Sequence, residues 1–304
     1  MRIIIAGGSG LIGSALANLL VESGHQVWIL TRDPEVTVVA EGAHPVRWDG
    51  YSTNGWESLV SQTDAIVNLA GDNLGSGYWT RKKKDRVLTS RTNAGKAISE
   101  AIQRANPKPG VLIQASAVGF YGPHGSEPVT EKADPGRGFL AEVCQAWEAS
   151  SQPVEEMGVR RVVIRTGVVL TKKSGALLRM TLPFRFYAGG PIGNGQQGLP
   201  WIHLADEVAA IQFLLKTNSA RGVFNLSAPC PLSNADFGRL LAKVIQRPYW
   251  LPVPPFALRF ILGEMSTLVV DGQFMVPKRL LDIGYTFKFA NAEKALKEIF
   301  SSEN

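Results

Sequence analysis

The sequence contains little of what would place it in a membrane or an oxidising compartment. Cysteine is scarce: Cys144 and Cys230 are the only two, and they offer neither a disulfide framework nor the spacing of metal ligands. No run of about eighteen apolar residues occurs, so we expect no membrane span. The N-terminus enters an apolar strand directly, which predicts no signal or transit peptide. These absences favour a cytoplasmic protein without a bound metal.

The positive charge is concentrated in one short segment. The net charge is +6, and Arg81-Lys82-Lys83-Lys84 together with Arg86 forms a basic cluster. A cluster of this kind can attract anionic ligands or surfaces. Because no nucleic-acid-binding signature accompanies it, we interpret the cluster as a solvated helix start and predict no nucleic-acid partner.

The stretch from Met1 to Asp33 has the pattern of a βαβ unit. Arg2–Ala6 is a short apolar run typical of a buried parallel strand. A glycine-rich turn follows at Gly7–Gly13. Ser14–Ser23 then carries apolar residues at helical spacing, and Gln26–Leu30 is a second apolar strand. Strand, turn, helix and strand thus occur in the order that a dinucleotide-binding turn requires.

The glycines of this turn have separate physical roles. Gly7 permits a tight turn off the strand. Gly10 has no side chain, so a pyrophosphate can approach the backbone, and Gly13 lets the helix pack closely on the strand. The N–H groups at the helix start, around Leu11 and Ile12, then face the phosphates. The pattern predicts a dinucleotide site; the alternative is a glycine-rich turn without a ligand.

The end of the second strand selects the cofactor. An NAD site has Asp or Glu there to bond the ribose hydroxyls, whereas this chain has Thr31-Arg32. A guanidinium offers paired N–H donors to a 2′-phosphate, and Thr31 adds a hydroxyl. We therefore predict NADP as the cofactor. Two alternatives stay open: Arg32 as a solvated charge at a strand end, and Asp33 as a carboxylate near the ribose.

The following sequence alternates strands and helices. Strands are predicted at Ala43–Trp48, Asp64–Leu69, Val111–Ser116, Arg160–Arg165 and Val223–Leu226, and long helices at Asp85–Arg104 and Gly138–Met157. This alternation predicts an α/β fold, a doubly wound parallel Rossmann sheet with strand order 3-2-1-4-5-6 and helices on both faces. We expect residues 1–176 to form the NADP-binding domain, with sheet returns near 199–228. Residues 177–304 are expected to form a smaller C-terminal substrate or lid lobe.

Several motifs resemble the extended short-chain dehydrogenase/reductases. They are the glycine spacing of the first turn, Asn-Leu-Ala-Gly at Asn68–Gly71, the Tyr121-Gly122 pair after the fifth strand, and Trp201–Asp206 before a helix. The resemblance is strongest to the branch called the epimerase family, which has a distinctive C-terminal region. Members of that branch are also loosely described as cell-division inhibitors.

The resemblance implies where the cofactor is held. Besides those of the first two strands, the residues it assigns to cofactor contact are Leu69, Ala70, Gly71, Arg86, Arg91, Thr166, Gly167 and Val168. Arg91 stands where the family's long helix sends an Asn towards the cofactor. Residues 166–168 lie where the family meets the nicotinamide. For Arg86 and Arg91 the alternative is a surface charge.

The residues that transfer protons in this family are missing. The resemblance implies catalysis by a Ser/Thr-Tyr-Lys arrangement, in which Tyr and Lys lie one turn apart on a helix. Counting back from Glu148, which matches the acid that commonly follows the Lys, Cys144 occupies the Lys position and Leu140 the Tyr position. Ala117 stands at the Ser position. Neither an isobutyl group nor a thiol without a cationic neighbour replaces a phenol of lowered pKa.

Four other side chains are candidate acids or bases. We predict Ser116, Tyr121 and His203 as catalytic residues, with Glu142 as a further candidate. Structural alternatives are a packed aromatic ring for Tyr121 and a hydrogen-bonded structural histidine for His203. The resemblance implies an NADP(H)-dependent oxidoreductase or nucleotide-sugar-epimerase-like enzyme that lacks the Tyr–Lys pair. The alternative is a non-catalytic NADP(H)-binding regulator with a protein partner in cell division. The sequence does not name a substrate.

Overall fold

The computed structural model describes residues 1–35, 37–172 and 174–301 of the chain. Its strands are β1 (Arg2–Ala6), β2 (Gln26–Thr31), β3 (His44–Arg47), β4 (Ala65–Asn68), β5 (Val111–Ala117), β6 (Pro128–Val129), β7 (Arg160–Thr166), β8 (Val168–Leu170), β9 (Gly198–Leu199), β10 (Trp201–His203), β11 (Gly222–Leu226), β12 (Leu232–Ser233) and β13 (Phe274–Met275). Its helices are α1 (Leu11–Glu22), α2 (Glu57–Val60), α3 (Arg81–Arg104), α4 (Phe139–Ala149), α5 (Gly175–Arg185), α6 (Leu204–Lys216), α7 (Asn234–Val244), α8 (Pro255–Leu262), α9 (Thr267–Val270), α10 (Lys278–Asp282) and α11 (Ala292–Ser301).

Seven of the strands form one parallel sheet. Their order across the sheet is β11-β7-β5-β4-β1-β2-β3. The predicted parallel, doubly wound architecture and the order of its first six strands are therefore confirmed. The strand predicted near Val223 pairs with β7 and extends the sheet by a seventh member.

Both faces of the sheet are covered because its central strands are apolar on both sides. Ile3 and Ile5 of β1 belong to a core that includes residues of α1 and α6. Ile4 belongs to a second core with Ala94 and Ile98 of α3. Because the strands are parallel, their carboxyl ends lie along one common edge. α/β folds bind their ligands outside the carboxyl ends of such strands.

Two of the predicted helix boundaries differ from the structure. α3 begins at Arg81 rather than Asp85, because the Thr80 hydroxyl accepts a hydrogen bond from the backbone N–H of Lys83 at 3.2 Å and so caps the helix earlier. α4 ends at Ala149, and a separate 3₁₀ turn at Gln152–Glu155 follows it.

The interpretation of the basic cluster as wholly solvated is wrong for Lys83. This side chain is only 5% exposed. Its ammonium group donates to Asp72 at 2.7 Å and to Ser76 at 2.9 Å. A buried ammonium requires such partners, so Lys83 ties the loop after β4 to the start of α3.

The later part of the chain is shared between the sheet and a smaller lobe. The residues of a separate apolar core include Leu177 of α5, Phe237 of α7 and Leu296 of α11. α6, by contrast, packs along α1, and α10 packs against β11. The predicted division of the chain into 1–176 and 177–304 stays a prediction. No helix within the described residues has the length and apolar character needed to cross a bilayer.

Candidate active site

The turn between β1 and α1 is built so that only glycine fits at several positions. Gly7 has a φ of +79°, and a methyl group placed on it would lie 2.7 Å from the carbonyl oxygen of Leu69. A methyl group on Gly13 would collide with the carbonyl oxygen of Gly7. The close approach at Gly13 is therefore to the turn itself, whereas the sequence analysis expected it to be to the strand.

Gly8 is a further requirement of this turn that the sequence analysis did not assign. A methyl group there would lie 2.6 Å from the Ile29 side chain of β2. Gly10 is the N-cap of α1; no side chain caps this end, and the first turn carries no acidic residue. The backbone N–H groups of Leu11 and Ile12 thus point out of a helix end that favours negative charge. These residues fit the pyrophosphate of a dinucleotide.

Two guanidinium groups lie at the carboxyl ends of β2 and β3. Thr31 is buried, and its hydroxyl is 2.8 Å from that of Thr37. Arg32 follows as an exposed residue. Arg47 pairs with Thr31 in the strand register, and its Nη1 donates to the backbone carbonyl of Arg32 at 3.5 Å. Arg47 was not predicted as a site residue and has no local sequence signal, because only the pairing of β2 with β3 brings it to this end.

A second turn, after β4, holds a buried cation. Leu69, Ala70 and Gly71 form this turn beside Gly7, and a methyl group on Gly71 would lie 2.9 Å from the Arg91 guanidinium carbon. Arg91 is 8% exposed. Its Nη1 donates to the carbonyl oxygens of Asp72 at 3.1 Å and Val87 at 3.0 Å.

The charge of Arg91 is unusual because its direct partners are backbone carbonyls and an aromatic ring, while the Asp72 carboxylate favours the charge without bonding to it. The guanidinium lies 4.8 Å from the centroid of the Trp147 ring. No carboxylate of the described residues is within ion-pair distance of it. Burial lowers the pKa of Arg91, although a guanidinium stays charged in proteins.

Arg86 is placed differently from Arg91. Its Nε donates to Asp72 Oδ2 at 2.9 Å, and the side chain is largely exposed. Burial opposes the charge of Asp72, but hydrogen bonds from Lys83 and Arg86 hold the pKa of that carboxyl below its ordinary value. Of the two arginines that the resemblance assigned to the cofactor, the structure places Arg91 against the Gly71 turn and pairs Arg86 with an acid.

The three positions of the missing Ser-Tyr-Lys arrangement do come together. The Cys144 sulfur lies 3.7 Å from the carbonyl oxygen of Ala117. A methyl group on Gly119 would lie 3.2 Å from Leu140 Cβ and 3.7 Å from the Cys144 sulfur. The helix register counted from Glu148 therefore places Leu140 and Cys144 against the end of β5, where they form an apolar surface.

The view that Cys144 lacks a cationic neighbour is wrong, because Arg91 is close enough to favour its thiolate. Burial outweighs this effect and raises the pKa of Cys144 to about 11. The thiol is therefore neutral at physiological pH, and it is a poor nucleophile or base.

A polar network lies behind this apolar surface and contains two of the predicted catalytic residues. Glu148 forms a bidentate ion pair with Arg165, at 2.8 and 2.9 Å, and accepts the Ser116 hydroxyl at 2.6 Å. Arg165 also donates to the Tyr121 oxygen at 3.1 Å, and that hydroxyl donates to Asn225 at 2.6 Å. Burial raises the pKa of Tyr121, which is 0% exposed.

His203 and Glu142 lie away from this network. His203 caps α6: its Nδ1 accepts the N–H of Ala205 at 3.1 Å, and its Nε2 lies 3.0 Å from a carboxylate oxygen of Glu298. Burial lowers the pKa of His203, so the ring is neutral and donates to Glu298. Glu142 is exposed, two residues from Leu140 and hence on another side of α4.

The end of β7 leads to a buried carboxyl group that the sequence analysis did not select. Gly167 separates β7 from β8, which begins at Val168. A side chain does not fit at Gly167, because a methyl group there would lie 2.5 Å from the carbonyl oxygen of Pro200. The Thr166 hydroxyl donates to Glu207 at 2.8 Å. Glu207 is 0% exposed, and burial raises its pKa to about 8. Within an amphipathic helix pattern, no sequence signal separates such a Glu from a solvent-facing one.

Comparison with known proteins identifies relatives over the whole chain. The Bacillus subtilis (strain 168) epimerase family protein YfhF is 39% identical over 311 residues, covering 99% of this chain and 98% of that protein. The crystal structure of the human epimerase family protein SDR39U1 (isoform 2) with NADPH superimposes with a TM-score of 0.88 at 32% identity, covering 99% of this chain and 100% of that chain. The UDP-glucose 4-epimerase of Thermus thermophilus, solved with NAD, has a TM-score of 0.78, with 100% of both chains covered. At 18% identity, this last likeness concerns the fold alone.

Family models match two parts of the chain. Residues 253–299 match a domain of unknown function, DUF1731. Residues 3–227, which include both glycine turns, the apolar surface at Leu140 and the end of β7, match the NAD dependent epimerase/dehydratase family. The chain therefore belongs to the NAD-dependent epimerase/dehydratase family.

Proposed function

We propose that this protein is an NADP(H)-dependent oxidoreductase of epimerase-like architecture that works without a Tyr–Lys pair. The observation that carries the proposal is the set of groups along one sheet edge. They are an uncapped α1 N-terminus for the pyrophosphate, two guanidinium groups at Arg32 and Arg47 for a 2′-phosphate, and the buried Arg91 beside the second turn. When bound, the cofactor supplies a hydride from its nicotinamide ring.

The choice of NADP rests on the two arginines. A 2′-phosphate is bound best by guanidinium groups that present paired N–H donors. Arg32 follows β2 directly, and the Arg47 guanidinium reaches across to the Arg32 carbonyl. The NADPH in the human SDR39U1 structure supports the same choice.

Arg91 is proposed to provide the fixed positive charge that a Lys supplies in other members of the family. It cannot lose its proton, and a cation in a site that excludes water stabilises negative charge developing on a substrate oxygen. The apolar surface of Ala117, Leu140 and Cys144 contributes by keeping water from that region. Their side chains transfer no proton.

The roles of Ser116, Tyr121 and His203 as proton donors stay predictions. Each already donates its hydrogen to an acceptor: Ser116 to the partly buried Glu148, Tyr121 to the buried Asn225, and His203 to the exposed Glu298. To give a proton to a substrate, each of these three side chains would first have to break its present hydrogen bond. Tyr121→Phe and His203→Ala separate these candidates if turnover is found, since loss of a general acid costs roughly a hundredfold or more.

A second candidate function is NADP(H) binding without catalysis, as a cytoplasmic regulator with a protein partner in cell division. The observation that favours it is the replacement of all three proton-transfer positions by Ala117, Leu140 and Cys144, with a neutral thiol at the Lys position. The two functions share the cofactor site and differ in whether bound NADPH is consumed.

Cofactor binding can be tested without knowing the substrate. We expect NADPH to bind more tightly than NADH, and Arg32→Ala to weaken NADPH about ten- to a hundredfold with little change for NADH. Arg47→Ala should act in the same direction. Arg2→Ala is the matched control, because Arg2 is an exposed arginine at the opposite edge of the sheet, paired with Asp64 at 3.1 Å. Equal affinities for NADPH and NADH in the unmutated protein would overturn the choice of NADP.

Turnover separates the two functions. Oxidation of bound NADPH is followed across a panel of carbonyl compounds, quinones and sugar nucleotides. Consumption that Arg91→Met reduces at least tenfold in kcat/KM, with NADPH still bound, supports the oxidoreductase. Stable NADPH across the whole panel supports the regulator.

A further inference from the structure

Glu207 is a buried acid that neither the polar network nor the apolar surface uses. It lies in the first turn of α6, which packs along α1 at the cofactor edge of the sheet. One carboxyl oxygen accepts the Thr166 hydroxyl at 2.8 Å. The other is buried and has no hydrogen-bond partner among the described residues. A buried polar atom without a partner requires an explanation.

Among the described residues, no basic side chain bonds to Glu207 or lowers its pKa, which only burial and the Thr166 hydroxyl affect. On α6 itself, Asp206 is a second acid, which accepts the N–H groups of Lys288 and Phe289, and His203 is neutral. From the segment after α10, the Tyr285 hydroxyl donates to Asp206. α1 carries no ionisable side chain before Glu22. The carboxyl group is therefore protonated at neutral pH, and its pKa of about 8 leaves it close to ionisation.

Thr166 connects this acid to the site. It is the last residue of β7, directly before Gly167 and Val168, which the resemblance assigns to the nicotinamide. The nicotinamide ring of NADP⁺ carries a positive charge that the ring of NADPH does not. An ionised carboxylate beside this ring would attract that charge, and at an effective dielectric constant of about 20 a pair of opposite unit charges changes an affinity roughly tenfold or more at separations up to about 12 Å.

We propose that Glu207 makes the site distinguish oxidised from reduced cofactor, remaining protonated beside NADPH and releasing its proton when NADP⁺ binds. The proposal rests on the NADP(H) site proposed above. The ionised carboxylate attracts the cationic ring, and the neutral acid has no such preference. The proton leaves to solvent. Because a tenfold preference corresponds to a pKa change of about one unit, up to about half a proton is released for each NADP⁺ bound, at a pH just below the pKa of free Glu207.

The test compares dissociation constants for NADP⁺ and NADPH in the full chain between about pH 6.5 and 9. The 2′-phosphate titrates in both cofactors, so the ratio of the two constants removes its contribution. As the pH rises towards 8 and beyond, the ratio of the NADP⁺ constant to the NADPH constant should fall about tenfold. Calorimetry in two buffers of different ionisation enthalpy should show more proton release with NADP⁺ than with NADPH, because the 2′-phosphate contributes equally to both.

Glu207→Gln should keep both cofactors bound and make the ratio independent of pH. Glu142→Gln, which changes an exposed glutamate of α4, is the matched control and should retain the slope of the unmutated protein. A flat ratio in the unmutated protein, or an unchanged slope in Glu207→Gln, overturns the inference while leaving the NADP(H) site intact. If Glu207→Gln does not fold, the ratio and the proton release in the unmutated protein decide. Failure of both cofactors to bind at every pH overturns the proposed function together with this inference.

Discussion

Glu148 and Glu207 are two carboxyl groups near the carboxyl end of β7. They lie on opposite faces of the sheet, because their partners Arg165 and Thr166 are adjacent on that strand. Glu148 meets the Arg165 guanidinium through both oxygens and also accepts the Ser116 hydroxyl. Glu207 meets one hydroxyl, from Thr166, and its second oxygen has no partner in the described part of the chain. The first group is an ionised member of a network, whereas the second is a neutral acid at physiological pH.

The difference shows how the surroundings decide the role of a buried acid. A carboxylate whose lone pairs are occupied by a fixed cation is held in one protonation state, and removing it leaves an unpaired charge. A carboxyl group without a cation changes its protonation state when a charge arrives nearby. We therefore expect Glu148 to respond to mutation through stability, and Glu207 to respond to pH and to the charge of a ligand.

The largest effect is expected from breaking the Glu148–Arg165 pair. Glu148→Gln removes the charge that balances Arg165, whose side chain is 5% exposed. The free energy of unfolding should fall by about 3–5 kcal/mol, because an uncompensated charge then stays buried. Chemical denaturation measures this change. The control is Glu142→Gln on the same helix, for which the change should be within ~0.5 kcal/mol; similar values for both variants would mean that the network is not structural.

A smaller effect per pH unit is expected from the titration of Glu207. Its pKa is raised from 4.5 to about 8 in the folded protein, so between these values the native state holds a proton that the unfolded chain has lost. Stability therefore falls as the pH rises through this interval, by up to ~1.4 kcal/mol per pH unit, and levels off above it. Glu207→Gln cannot titrate, and denaturation at several pH values should show a flatter profile. Parallel profiles for the two proteins would contradict the raised pKa.

The smallest effect is a difference in thiol reactivity, which extends the comparison to a third buried acid. Like Glu207, Cys144 is kept neutral by burial, with a pKa of about 11, whereas Cys230 is exposed. A two-unit rise leaves roughly a hundredfold less thiolate at a given pH. Alkylation of the native protein, followed by mass spectrometry, should add one group, and Cys230→Ser should prevent it. Modification of both cysteines at equal rates would show that Cys144 is accessible and ionisable.

The local pattern was sufficient where the chemistry lies within one βαβ unit. Gly7, Gly10 and Gly13 identified the tight turn between β1 and α1 because strand, turn and helix follow one another in sequence. The count from Glu148, which assigned Leu140 and Cys144 to the Tyr and Lys positions, stays a prediction; the structure adds that both residues lie near the end of β5. The start of α3 was misplaced because the Thr80 cap is a single residue within a polar loop.

The sequence by itself located the strands of the sheet and the glycine-rich turn after β1, because apolar periodicity and glycine spacing are local properties of the chain. Only the tertiary structure decided which polar side chains meet. Arg47 reaches the end of β2 through strand pairing, α4 carries Glu148 to Arg165 of β7, and α6 carries Glu207 to Thr166. Contacts between residues far apart in sequence depend on packing, and burial then sets which of these groups carries a charge.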